Sequence, residues 1–99
     1  MDDKNYKERL YRYEITKLAQ ELAFRGIPFT FRKCYDGYQI VVDHNGLEFD
    51  AICHSGSYGS NYGLLEIMGR CIVENEYDTV EGYLMATEII KRVDNYLAK

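Results

Sequence analysis

The chain has 99 residues, 46% hydrophobic and 28% charged, with a formal net charge of −4. Chains divide into domains only above roughly 250 residues, so residues 1–99 form a single domain, and the composition is too apolar for disorder. No apolar run approaches the roughly 20 residues that cross a bilayer, which excludes a membrane partner at this stage.

Charge is unevenly placed. Residues 1–33 hold eight Lys/Arg against five Asp/Glu, whereas residues 34–90 hold ten Asp/Glu and one basic residue, Arg70. Phosphate contacts need cations, so binding to double-stranded nucleic acid is not expected. The charged N-terminal segment leads into no apolar signal stretch, and a cytoplasmic location is expected. Cys34, Cys53 and Cys71 form no C-x-x-C pair and are expected to be reduced thiols. Cys53 and His54 would point to opposite faces of a strand, so neither a zinc site nor a cofactor is expected. Ten tyrosines with no tryptophan supply rigid area with polar tips, suited to binding surfaces and to the margins of a small core.

The pattern is helical from Asn5 to Arg25. Tyr11, Ile15, Leu18 and Leu22 form a core stripe that Ala19 and Ala23 widen, Gly26 supplies a left-handed end, and Pro28 blocks continuation. Three strands follow as an antiparallel meander. Phe29–Tyr35 turns at Asp36-Gly37 into Tyr38–Asp43, which turns at Asn45-Gly46 into the third strand. Two-residue turns pair Phe31 with Val42, Lys33 with Ile40, Val42 with Phe49, Ile40 with Ala51 and Tyr38 with Cys53. Phe31, Val42 and Phe49 then share a core-facing row.

The stretch His54-Ser-Gly-Ser-Tyr-Gly-Ser-Asn-Tyr-Gly63 contains no aliphatic residue. Leu64–Met68 reads as a short buried helix ended by Gly69, and Glu74–Asp78 as an acidic loop. Asp78 and Glu81 have capping-box spacing. A last helix lies between Thr79 and Ala98, its start delayed by Gly82 to about Leu84, with Tyr83, Ala86, Ile90, Val93 and Leu97 as its core stripe. The expected fold is α+β in the order α-β-β-β-α-α. Helix, three-strand meander and helix is also the topology of the double-stranded-RNA-binding domain, which resembles this chain in arrangement. That family sets lysines where Gly63–Arg70 offers only Arg70 and contains Glu66, so its function is not carried over.

The segment Asp50-Ala-Ile-Cys-His-Ser-Gly-Ser-Tyr-Gly-Ser-Asn-Tyr-Gly-Leu-Leu-Glu-Ile-Met-Gly69 resembles a pattern of small phage and prophage proteins of Gram-positive bacteria. The likeness extends through Val80–Leu84 and the last helix, about half of the chain. It implies a phage-type accessory protein acting in the host cytoplasm against host defences, and brings no activity with it.

The loop's many backbone N–H groups, set before a helical segment, suggest an anion or nucleotide cradle. Ser55, Ser57 and Ser60 would donate, Tyr58 and Tyr62 would stack on a base, and His54 would orient the ligand. Asn61 lies among them, and Arg70 would be a charge partner. No phosphate-binding motif is present and no lysine lies in the loop. Asp50, His54 and Ser55 or Ser57 invite a nucleophilic constellation, but Asp50 and His54 lie roughly 13 Å apart along a strand, so no catalytic residue is assigned. The expected function is therefore non-enzymatic: a homodimer that sequesters a small nucleotide-derived host signal through residues 54–63. The alternative is direct inhibition of a host defence protein, in which Glu74, Glu76, Asp78 and Glu81, with Tyr77, imitate nucleic acid.

Overall fold

The computed structural model describes residues 3–74 and 79–99, with Asp3 and Lys4 described by backbone alone. Helix α1 (Asp3–Phe24) is followed by strands β1 (Thr30–Cys34), β2 (Gly37–His44) and β3 (Leu47–Cys53). A single 3₁₀ turn, Ser60–Tyr62, leads to β4 (Leu65–Met68); β5 (Val80–Leu84) and helix α2 (Ala86–Leu97) complete the fold. The five strands form one antiparallel meander in chain order. Both helices pack on one face of it around a core that includes Ile15, Leu18, Ile40, Val42, Leu65, Ile67, Ile89 and Val93. The fold is α+β, with five strands rather than the expected three. The double-stranded-RNA-binding topology therefore does not hold.

Helix α1 follows its sequence closely. Tyr11, Ile15, Leu18 and Leu22 are buried, while Ala23 lies exposed outside the stripe. At its end the amide of Ile27 donates to the carbonyl of Leu22 and that of Gly26 to Ala23, with Gly26 at φ 70°. These paired bonds satisfy carbonyls that the helix leaves over, and the buried side chain of Ile27 seals the motif.

The β2–β3 hairpin has the expected register: Tyr38 faces Cys53, Ile40 faces Ala51, and Val42 faces Phe49. Its turn places Asn45 and Gly46 at φ 53° and 88°, matching the twist of the flanking strands. The β1–β2 register differs. Phe31 faces Ile40, and Cys34 faces Gly37, so the turn is Tyr35-Asp36 and Gly37 already belongs to β2. The cause is steric: a Cβ at position 37 would overlap the carbonyl oxygen of Cys53. Glycine serves a close strand approach there and not the turn. A two-residue register shift preserves the faces, although Phe31, at the sheet edge, is 37% exposed.

Leu65–Met68 is a strand where a short helix was expected. It pairs Asp50 with Met68, Ala51 with Ile67, and Ile52 with Glu66. Pairing satisfies the backbone of β3 along what would otherwise be an open edge. Leu65 and Ile67 enter the core, and the alternation of period two outweighs the local apolar cluster. The residues expected to begin the last helix form β5, and α2 starts at Ala86. Of its expected stripe, Ala86, Ile90 and Val93 are buried, joined by Ile89, whereas Tyr83 and Leu97 are 59% and 46% exposed.

Polar contacts fasten α2. Glu14 on α1 is buried and accepts the amide of Ala86 at 2.8 Å, placing a carboxylate at the positive end of α2. The carboxylate of Glu88 accepts the amide of Met85 at 3.1 Å. Arg25 grips Asp94 with bonds of 2.7 and 2.9 Å, tying the end of α1 to α2. Arg92 donates two bonds of 2.8 and 2.7 Å to Glu81 on β5 and lies 3.2 Å from Glu74. Two members of the acidic stretch thus belong to an internal ion pair, and Glu81 caps no helix. Glu76, Tyr77 and Asp78 lie outside the described residues. No helix among the described residues is long and apolar enough to cross a membrane.

The Arg92 guanidinium holds the Glu81 carboxyl below the usual carboxylate range. A depressed folded-state pKa contributes stability above the unfolded value that is lost as pH falls through the folded one. Urea titrations should show Glu81→Gln destabilised by roughly 2 kcal/mol at neutral pH. The gap from wild type should shrink as pH drops below the ordinary carboxylate range.

Candidate functional site

In an antiparallel meander, alternate connections fall at the same end of the sheet. The β1–β2 turn, the 54–63 loop and the Leu84 end of β5 therefore meet at one end, while the β2–β3 turn and Arg70 lie at the other. Arg70 is exposed and lines a concavity of about 650 Å³ with Gln39, Val41, Asp50 and Met68 on the helix-free face of the sheet. It does not join the loop residues.

The loop is held by its own backbone. The amide of Ser57 donates to His54, those of Ser60 and Gly63 to Ser57 and Ser60, and those of Tyr62 and Leu64 to Gly59. The amide of Ser55 donates to the carboxylate of Asp36 at 2.9 Å, and these bonds keep the Asp36 carboxyl below its usual range. The amide of Tyr58 donates to Glu66 at 2.9 Å. Glu66 projects from β4 opposite the core side chains, yet is only 7% exposed because the loop folds over it. Most of the amides expected to face a ligand are thus used inside the protein, and the element that follows is a strand, without a helix dipole.

The side chains divide into two groups. Ser57 and Ser60 are buried. The Ser57 hydroxyl accepts the amide of His54 at 3.1 Å and donates to its carbonyl at 2.8 Å. Ser57 therefore shapes the loop and does not donate outward. Ser55 and Asn61 are exposed. His54 donates from Nδ1 to the carbonyl of Ser55 at 3.0 Å, and its ring lies 5.1 Å from that of Tyr35. Asp50 accepts from Gln39 at 2.9 Å. Asp50 and His54 thus have separate partners, and Ser57 is committed to backbone.

The tyrosines point outward. Tyr58, Tyr62 and Tyr83 are 60%, 73% and 59% exposed, and the rings of Tyr62 and Tyr83 lie 6.4 Å apart. With Ser57, Ser60 and Asn61 they line a concavity of about 180 Å³, below the roughly 300–1,000 Å³ of sites that enclose a small molecule. Tyr83 was expected in a helix core. The alternation Val80-Glu81-Gly82-Tyr83-Leu84 could have shown it on a strand, pointing away from Leu84.

Close backbone packing fixes this arrangement. The amide of Tyr83 donates to the carbonyl of Tyr58 at 3.2 Å. A Cβ at Gly82 would overlap that of Tyr58 and sit 2.7 Å from its carbonyl oxygen. On the helix side, a Cβ at Gly63 would lie 2.8 Å from Leu10 Cδ1, so the loop is seated against both β5 and α1.

The three cysteines are free; burial pushes the Cys53 thiol up to about 12. Among the described residues no three His, Cys, Asp or Glu side chains cluster as a metal site would require. Fold and surface define a two-layer α+β protein presenting a fixed, tyrosine-bearing loop. Comparison with models of known families, with curated proteins and with solved structures finds no match for the chain.

Gly82→Ala should lower stability by about 2–3 kcal/mol in thermal or urea unfolding, because backbone must move to admit the methyl group. In the folded fraction, the amide resonances of Tyr58, Tyr83 and Glu66 should shift most.

Proposed function

We propose that this chain is a non-enzymatic binding protein whose contact surface is the 54–63 loop with Tyr83, and that its partner is another protein. One observation carries the reading: three tyrosines from two segments stand exposed on a backbone whose hydrogen bonds hold it in place. Tyrosine gives large contact area at small entropic cost, and a fixed support lowers the ordering cost of binding. A protein surface suits a platform that encloses little volume and keeps most of its amides for itself.

The second reading is the sequestered nucleotide-derived signal. Stacking on Tyr62 and Tyr83 favours it, while the internally used amides and the distant Arg70 weigh against it. In keeping with the phage-protein resemblance, the partner would be a host defence protein, and the chain its inhibitor.

Tyr58→Ala with Tyr62→Ala should abolish retention of a host protein in affinity capture, with the melting temperature within about 3 °C of wild type, because exposed side chains contribute little to folding. A melting-temperature rise on adding a cyclic dinucleotide or ADP-ribose, lost in the same variant, would favour the small-molecule reading instead.

A further inference from the structure

Two tyrosines adopt a backbone conformation that side chains of their size rarely take. Tyr35 has φ 53° and Tyr83 has φ 62°. The first opens a two-residue turn, at a position where glycine is ordinarily found when φ is positive. The second sits in a bulge: β4 advances from Leu65 to Ile67 while β5 runs from Leu84 back to Glu81, leaving an extra residue on β5. Neither ring fills the core, since Tyr35 is 88% exposed and Tyr83 59%. Each stands at one end of the 54–63 loop, Tyr35 against His54 and Tyr83 against Tyr62. Backbone strain that burial of the ring does not offset, at exposed aromatic residues flanking one loop, is expected where a side chain is displayed for contact.

The partner's chemistry follows from charge. The 54–63 loop and β5 carry no lysine or arginine, and Asp36 lies at the Tyr35 end of the loop, whereas Asp43 and Glu48 lie at the opposite end of the sheet. Lys7 and Lys33 border the concavity beside Tyr35, where Glu8 and Asp36 offset them. Phenol rings attract cations over their faces, and a surface poor in cations cannot hold a phosphate backbone. Resting on the protein-binding reading above, we infer that Tyr35 extends the contact surface from the loop and Tyr83 to the other end of the loop, and that the surface receives arginine or lysine side chains of a basic partner protein.

The test is titration of the full chain, ¹³C-labelled in its tyrosine rings, with an oligo-arginine peptide, an oligo-glutamate peptide and a single-stranded oligonucleotide. The arginine peptide should shift the rings of Tyr35, Tyr58, Tyr62 and Tyr83 and leave that of buried Tyr11 unmoved; the other two probes should shift none. Tyr35→Gly and, separately, Tyr83→Asn should each weaken the arginine peptide by about two- to fivefold. Relief of the turn should leave the melting temperature of Tyr35→Gly unchanged or raise it by up to about 5 °C. A fall of more than about 5 °C would mean that Tyr35 serves the fold, overturning its assignment. Unchanged affinity in Tyr35→Gly, with loss in Tyr83→Asn and in Tyr58→Ala, Tyr62→Ala, overturns this inference and leaves the loop with Tyr83 as the binding site. Ring shifts caused by the oligonucleotide overturn the basic-protein assignment. Rings silent to the arginine peptide overturn the inference, while host-protein capture separately tests the loop reading.

Discussion

A loop with three glycines and three serines holds one shape here because the backbone of β5 comes unusually close to it. At Gly82 there is no space for a methyl group beside Tyr58. Across that gap Tyr83 donates to the Tyr58 carbonyl, while Glu66 takes the Tyr58 amide from the other side. These two bonds and one missing side chain decide where three tyrosines point. Without them, a segment of this composition would sample many conformations, and exposed rings would bear the full entropic cost of ordering on contact.

The anchoring depends in turn on β5, a short edge strand with a bulge. Few ladder bonds hold it to β4, so its attachment to α2 matters more than usual. The two-bond grip of Arg92 on Glu81 provides that attachment, and the bond from Ala86 to Glu14 fixes the adjoining helix start against α1. Charges that look in the sequence like a solvated or mimetic acidic run are partly structural.

Legibility in the sequence followed the range of the interactions concerned. The first helix, its left-handed end and the Asn45-Gly46 hairpin rest on contacts within a few residues, and they were readable. The other turn was misplaced because Asp36-Gly37 is a favoured local signal, whereas the need for glycine at 37 comes from Cys53, sixteen residues away along the chain. Leu64–Met68 is too short for periodicity to separate helix from strand; pairing with β3 decided it. In the loop, the outward tyrosines were readable as candidates from residue type. The internal use of its amides was not, since Glu66 and Asp36 reach them only after the sheet has formed. The left-handed backbone of Tyr35 and Tyr83 was not readable, because a positive φ at tyrosine has no signature in composition.

Internal hydrogen bonds from amides of residues 54–64 make the loop a fixed support and not a mobile connection. Amide hydrogen exchange at single-residue resolution measures this directly. The amides of Tyr58, Gly63, Leu64 and Tyr83 should exchange as slowly as those of β4. Exchange at these four positions close to the rate of an unstructured peptide, with β3 and β4 still protected, would contradict it.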